Sequence, residues 1–197
     1  GYPVLKETNP AIIYASISGF GHDDLYSGPY GDRPAFNLIA QAMGGLMEIT
    51  GGAGGPPYQC GAAVGDIFPG TLTAFGILLA LRVRESTGIG QHIDTSMYDS
   101  MISMNAAPIL NYVMTGIIPT RGEEAFLMPH GAFRTNDGYV AIAVFTSEQW
   151  LGLCRAMGRD DLACDSSFQT GIERAKKVHF LRPIIEEWTS QHNKNEV

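Results

Sequence analysis

The segment that most restricts the fold is residues 11–18, a β-branched and aromatic run (Ala-Ile-Ile-Tyr-Ala-Ser-Ile-Ser) that stops at Gly19-Phe20-Gly21. Such a run, ended abruptly by glycine, predicts a buried strand followed by a turn. Downstream patterns predict a helix over residues 35–49, a loop over 51–57, a helix that begins after Asp66 and stops at Gly88, a strand over 91–95 and a helix over 97–114. Alternation of strand and helix is typical of an α/β layer structure.

A second, smaller unit is predicted after this region. The composition becomes that of a polar linker near residues 115–128, and a hairpin follows, with strands over 131–135 and 139–145 around Asn136-Asp137-Gly138. Helices are predicted over 147–157 and 172–190. We therefore expect a partial large α/β domain over residues 1–115, and a linker with part of a small α+β domain over 116–197.

Composition limits the partners and the compartment. Lys+Arg 13 against Asp+Glu 20 gives a net charge of -7, which argues against nucleic acid and anionic membrane surfaces but leaves a phosphorylated small molecule open. The apolar stretch from Ile67 to Leu81 falls short of the about 20 residues that span a bilayer, and no signal peptide is recognised, so no membrane partner is expected. The three separated cysteines, Cys60, Cys154 and Cys164, suit buried thiols in a reducing cytoplasm.

Asp66 is the residue that invites a chemical role. It stands directly before a strongly apolar helix with Pro69 near its first turn, where an aspartate is commonly an N-cap. The alternative is a nucleophile backed by apolar helices and faced by glycine loops. No Ser-His-Asp neighbourhood, Walker A loop, strand-linked GxGxxG or metal-spaced cluster is apparent, and the five histidines are scattered.

Six ordered blocks resemble the class III coenzyme A transferases, also called the CaiB/BaiF family. They cover nearly the whole chain and lie at residues 9–21, 33–47, 65–66, 84–94, 129–142 and 149–158. Members of that family are longer, so the resemblance implies a central piece: part of a Rossmann-like large domain followed by part of a small α+β domain. The first residue is Gly1 rather than Met, and the chain looks cut at both ends. The family also implies an interlocked homodimer.

The resemblance implies a function as well. Asp66 matches the family's nucleophilic aspartate, which would carry CoA from an acyl-CoA thioester to a carboxylic acid through aspartyl anhydride and aspartyl-CoA intermediates. Coenzyme A thioester is then a substrate, with no permanently bound cofactor and no metal. The expected substrate- or CoA-binding residues are Gly19, Gly21, Arg33, Phe36, Asn37, Gly44 and Gly45.

Departures from the family pattern leave alternatives. The 2-methylacyl-CoA racemases of the family carry a histidine where this chain has Phe36, and a phenyl ring cannot move a proton. Phe36 and Pro34 also replace the tyrosine and lysine of formyl-CoA transferase, which argues against formate or oxalate. A racemase-like enzyme and a non-catalytic piece of the family remain as alternatives. Met97, Met101, Met104 and Met114 are interpreted as core residues rather than an acyl pocket.

Overall fold

The computed structural model describes residues 1–22, 28–122 and 127–197. They form two compact units, Gly1–Gly122 and Glu123–Val197. The division falls after Gly122 rather than after residue 115, because Arg121 is bound into the first unit: its Nε donates to the Gly55 carbonyl at 3.0 Å and its Nη1 pairs with the Glu48 carboxylate at 2.6 Å.

The first unit has a mixed α/β fold, as the sequence predicts. The two strands among its described residues pair in parallel, with Ser16 opposite Asp94, and the helices between them provide the crossover that parallel strands require. The elements are α1 (Tyr2–Thr8), β1 (Tyr14–Ser18), α2 (Asn37–Met43), α3 (Val64–Thr87), β2 (His92–Ser96), α4 (Met97–Met104) and α5 (Ala106–Thr115).

Two helices of this unit are shorter than the sequence pattern suggests. The helix predicted over 35–49 ends at Met43, because the next residues are Gly44 and Gly45 and Gly45 has φ +85°. The helix predicted over 97–114 is divided at Asn105. Pro108, in the first turn of α5, would clash with the carbonyl of Met104 in a continuous helix.

The longest helix, α3, ends as predicted, with Gly88 in the left-handed conformation at its C-cap. Buried residues such as Thr73 and Ala80 lie on one face, while Phe75, Leu78 and Leu79 are exposed. The prediction that the apolar stretch is too short to cross a membrane is wrong by length and composition, because the helix continues on both sides of that stretch over 24 residues. Only 22% of its most apolar part is buried, and some core helices of soluble proteins meet the same criteria of length and composition. The absence of a membrane partner stays a prediction.

The second unit contains the predicted hairpin. Strand β3 (His130–Thr135) pairs antiparallel with β4 (Gly138–Ala143), and Asn136 and Asp137 form the turn. Helix α6 (Ser147–Ala156) confirms the prediction for 147–157. The region 172–190 is two helices rather than one, and the remaining elements are α7 (Asp160–Cys164), a 3-10 turn (Ser166–Phe168), α8 (Gly171–Ala175) and α9 (Val178–Thr189).

Each unit has its own core. In the first, Ala40 of α2 packs with Met97 and Met101 of α4, with Val64 and Phe68 of α3 against them. The core of the second unit is larger and includes Met128, Phe133, Trp150, Cys154, Phe168, Leu181 and Ile185. Met97 and Met101 are therefore core residues as expected, whereas Met104 and Met114 are exposed.

The prediction of three buried thiols is right for one cysteine only. Cys154 is buried, Cys60 is half-buried, and Cys164 is exposed at the end of α7. Cys164 lies opposite the buried side of that short helix, where Leu162 faces the core. All three are free thiols.

Candidate active site

Asp66 lies in the first turn of α3, at the third helical position, and does not cap the helix. Ala63 holds the N-cap position, and the Asp66 and Ile67 amides both donate to its carbonyl, at 3.0 and 2.9 Å. The N-cap interpretation of Asp66 is therefore wrong. The Asp66 side chain is exposed, and among the described residues no hydrogen bond or ion pair involves its carboxylate.

The helical period explains why this carboxylate is free. Val64 and Phe68, one turn apart, pack into the core with Ala40, so Asp66, between them in sequence, projects from the opposite side of the helix. The unpaired amide groups at a helix N-terminus carry partial positive charge, which favours an anion in the first turn. The fold thus presents the Asp66 carboxylate to solvent in the first turn of a helix.

Asn37 is engaged with the backbone beside Asp66, and its predicted contact with substrate stays a prediction. Its Oδ1 accepts the Gly65 amide at 2.9 Å and the Gln41 Nε2 at 2.7 Å. Gln41 is fully buried, and its Oε1 accepts the Cys60 amide at 2.8 Å. These bonds join α2 to the start of α3 and to the loop before it.

The protein's own structure explains why glycine stands at the four positions predicted to contact CoA. A Cβ on Gly19 would lie 2.6 Å from the Ala35 Cβ, and one on Gly44 would lie 2.3 Å from the Met101 Cβ. Gly21 and Gly45 have φ +90° and +85°, which favour glycine. Close chain packing and turn geometry therefore explain all four glycines, and contact with CoA stays a prediction.

Arg33 and Phe36 lie in the segment leading into α2. The Arg33 guanidinium stands over the Tyr30 ring, 4.8 Å from its centroid, and within the described part of the chain it has no hydrogen-bond partner. Phe36 is the N-cap residue of α2 and is 79% exposed. The segment thus offers an unpaired cation and an apolar ring.

A Ser-His-Asp neighbourhood, not apparent in the sequence, is formed by the strand register. Ser16 Oγ donates to Asp94 Oδ1 at 2.9 Å and lies 2.8 Å from His92 Nε2. Asp94 Oδ2 also accepts the His22 amide at 2.5 Å. Serine stands between the other two residues, unlike a catalytic triad, in which histidine is central. Asp94 therefore anchors the turn after β1. This role could be recognised only from the pairing of β1 with β2, which brings Asp94 opposite Ser16.

A shallow apolar groove of about 380 Å³ lies at the other end of α2. Its lining includes Gly44, Gly45, Ile109, Tyr112 and Ile118, so two of the predicted contact glycines border it. In the described ranges no group of three or more histidine, cysteine, aspartate or glutamate side chains could hold a metal ion.

Comparison with known proteins places these features in a family. The model of CoA-transferase family III matches residues 1–197. The succinyl-CoA:mesaconate CoA-transferase of Haloarcula marismortui is 44% identical over 192 residues, 96% of this chain and 48% of the relative. The succinate–glutarate CoA-transferase of Agrobacterium fabrum is 35% identical over 198 residues, 100% of this chain and 48% of the relative.

Solved structures agree with the sequence comparisons. A CaiB/BaiF family protein from Brucella suis has a TM-score of 0.79 at 36% identity, covering 100% of this chain and 51% of that one. A Mycobacterium tuberculosis protein in an orthorhombic crystal form gives 0.84 at 27% identity, with 100% and 51% covered. The chain spans about half the length of the curated relatives it matches. On these grounds the chain belongs to CoA-transferase family III, the CaiB/BaiF family.

Proposed function

We propose that the natural protein transfers coenzyme A from an acyl-CoA thioester to a carboxylic acid, with Asp66 as the nucleophile. The observation that carries this proposal is the exposed Asp66 carboxylate in the first turn of α3, with no partner among the described residues. The named activities of relatives, between succinyl-CoA and mesaconate or succinate and glutarate, support CoA transfer and suggest dicarboxylic acids as substrates.

The reaction begins when an Asp66 oxygen attacks the thioester carbonyl carbon. A C–O bond forms between Asp66 and the acyl group, and the C–S bond breaks. CoA leaves as a thiolate, and a mixed anhydride of Asp66 and the acyl group remains. The thiolate then attacks the aspartyl carbonyl, which frees the donor acid and leaves an aspartyl-CoA thioester. The acceptor carboxylate attacks that thioester, and the released thiolate takes the acyl group from the second anhydride. Asp66 is regenerated, and no proton transfer or external cofactor is needed.

A carboxylate is a weak nucleophile, so position must supply much of the rate. An intramolecular arrangement can be equivalent to effective concentrations of about 10⁵ M or more, and a helix holds the nucleophile more rigidly than a loop does. Both intermediates hydrolyse readily, so water must be excluded during the reaction. The exposed ring of Phe36, next to Asn37, is suited to cover the reacting groups.

Arg33 is the proposed anion-binding residue. Its guanidinium has no hydrogen-bond partner within the described ranges and is held over Tyr30, so its donors are free for a substrate carboxylate or a CoA phosphate. Racemisation is not proposed, because Phe36 stands where that reaction places its histidine and carries no ionisable group.

We further propose a cytoplasmic homodimer that uses CoA thioester as substrate and keeps no bound cofactor. The free thiols of Cys60, Cys154 and Cys164 suit a reducing compartment. The exposed apolar side chains of α3, which include Phe75, Leu78 and Leu79, are the kind of surface that a second chain covers.

The test is to trap the activated aspartate. The natural full-length protein and the 197-residue chain are incubated with a panel of acyl-CoA thioesters, quenched with hydroxylamine, and analysed by intact-mass and peptide mass spectrometry. We expect a hydroxamate at Asp66 that is absent from Asp66→Ala. Asp160→Ala serves as the control, because Asp160 is another exposed aspartate in the first turn of a helix.

Each outcome is informative. A hydroxamate in the full-length protein but not in the 197-residue chain would support the mechanism and identify the chain as a piece that cannot act alone. Transfer by Asp66→Ala at the wild-type rate, or a hydroxamate at a different residue, would refute the role of Asp66. No transfer and no hydroxamate in the full-length protein would refute the proposed function.

A further inference from the structure

A fully buried glutamine in α2 calls for a physical explanation. Gln41 has no exposed surface, and burying an amide without partners costs about 1 to 3 kcal/mol. Its Nε2 donates to Asn37 Oδ1 at 2.7 Å and its Oε1 accepts from the Cys60 amide at 2.8 Å. Both ends of the amide are therefore used, and one of them fixes Asn37.

Asn37 passes this constraint to the start of α3. Its Oδ1 also accepts the Gly65 amide at 2.9 Å, so one oxygen receives two N–H groups and the side chain has a single orientation. Only glycine fits at position 65, because a Cβ there would lie 2.7 Å from the Asn37 carbonyl oxygen. The start of α3 therefore lies directly against the start of α2, and the Asn37 side chain holds the Gly65 amide there.

The first turn of α3 has no cap of its own. Its N-cap residue is Ala63, which has no side-chain acceptor, whereas serine, threonine, aspartate or asparagine at that place would bind the free amides. Asn37 supplies the missing acceptor from a neighbouring helix. The amide that it binds belongs to the residue directly before Asp66.

We infer that Asn37, locked by Gln41, is a positioning residue that sets the direction of the Asp66 carboxylate. The inference rests on the proposed function of Asp66. Loss of the Asn37 acceptor frees the first turn of α3, and displacement of a reacting group by about 1 Å can reduce a rate about 100-fold. The effect falls on the attack step and leaves the binding of acyl-CoA nearly unchanged.

The test compares variants of the natural full-length protein in steady-state transfer and in single-turnover hydroxamate formation at Asp66. Asn37→Leu removes the acceptor at similar volume, Asn37→Asp keeps it, and Gln41→Met removes the group that locks it. Asn111→Leu is the matched control, because Asn111 is an exposed asparagine of α5. Thermal unfolding is measured for every variant, so that only folded proteins are compared.

We expect kcat of Asn37→Leu to fall about 100-fold, with KM for acyl-CoA within about threefold of wild type. Asn37→Asp should recover at least a tenth of the lost rate, and Gln41→Met should lower kcat with the same unchanged KM. A folded Asn37→Leu variant with wild-type kcat would overturn the inference, and so would a rise in KM alone, which would make Asn37 a binding residue. Equal losses in Asn37→Leu and Asn37→Asp would also overturn it. Failure of the wild type to transfer CoA would instead refute the proposed function.

Discussion

Replacement of Arg174 by methionine should destabilise the second unit by about 3 kcal/mol. Arg174 is 1% exposed, its Nε donates to the Met128 carbonyl at 2.6 Å, and its Nη1 donates to the Phe168 carbonyl at 2.7 Å. The guanidinium also stands 4.7 Å from the centre of the Trp150 ring. It therefore ties the entry of the chain into this unit to the core.

The magnitude follows from these contacts. Each buried carbonyl left without a partner costs about 1 to 3 kcal/mol, and a desolvated cation–π contact contributes about 2 kcal/mol. Against this, methionine avoids the cost of burying a charge, the same burial that lowers the pKa of Arg174. The lost hydrogen bonds and cation–π contact outweigh the avoided burial of charge, and the balance is a loss of about 3 kcal/mol.

Denaturant unfolding followed by tryptophan fluorescence measures this loss, because both tryptophans, Trp150 and Trp188, lie in the second unit. Arg155→Met is the control, since Arg155 is an exposed arginine of α6 in the same unit, and it should change stability by less than about 0.5 kcal/mol. Equal effects of the two substitutions, or stabilisation by Arg174→Met, would refute the reasoning.

Two further predictions concern the same unit. Burial raises the pKa of the Cys154 thiol to about 11, so the folded state keeps this proton while the unfolded thiol ionises near pH 9. The stability that this group contributes is fully present below pH 9. It falls by about 1.4 kcal/mol per pH unit as the pH approaches 11. Cys154→Ala should remove this contribution and flatten the pH dependence of stability between pH 9 and 11 by about 1.4 kcal/mol per pH unit, and an unchanged slope would contradict the assignment. Thr146 and Gln149 form a capping box at the start of α6, so Thr146→Ala should cost about 1 kcal/mol in thermal unfolding while Thr146→Ser keeps most of the stability. A Thr146→Ala variant as stable as wild type would show that the cap contributes nothing.

The sequence correctly predicts those helices, strands and turns whose start or end depends on neighbouring residues. The β-branched run up to Ser18, the stop of α3 at Gly88 and the hairpin around Asn136 and Asp137 each depend on residues within a few positions. The candidate nucleophile was also predictable, because the motif around Asp66 matches that of the family. The sequence did not predict that the Asp66 carboxylate lacks a partner among the described residues, because the same pattern also fits an N-cap at Asp66. In the structure the N-cap position is held by Ala63.

The rest depended on contacts between residues far apart in the chain. Gly44 at the end of α2 lies so close to Met101 that only glycine fits there, and neither residue predicts the other from the local sequence. The Asn37 bond to Gly65 and the Ser16 bond to Asp94 join positions separated by 28 and 78 residues. Sequence alone therefore determined the helix and strand types and the family, and it predicted Asp66 as the candidate nucleophile. Tertiary structure decided which side chains meet around that nucleophile, because strand register and helix packing are set by the whole unit rather than by any one segment.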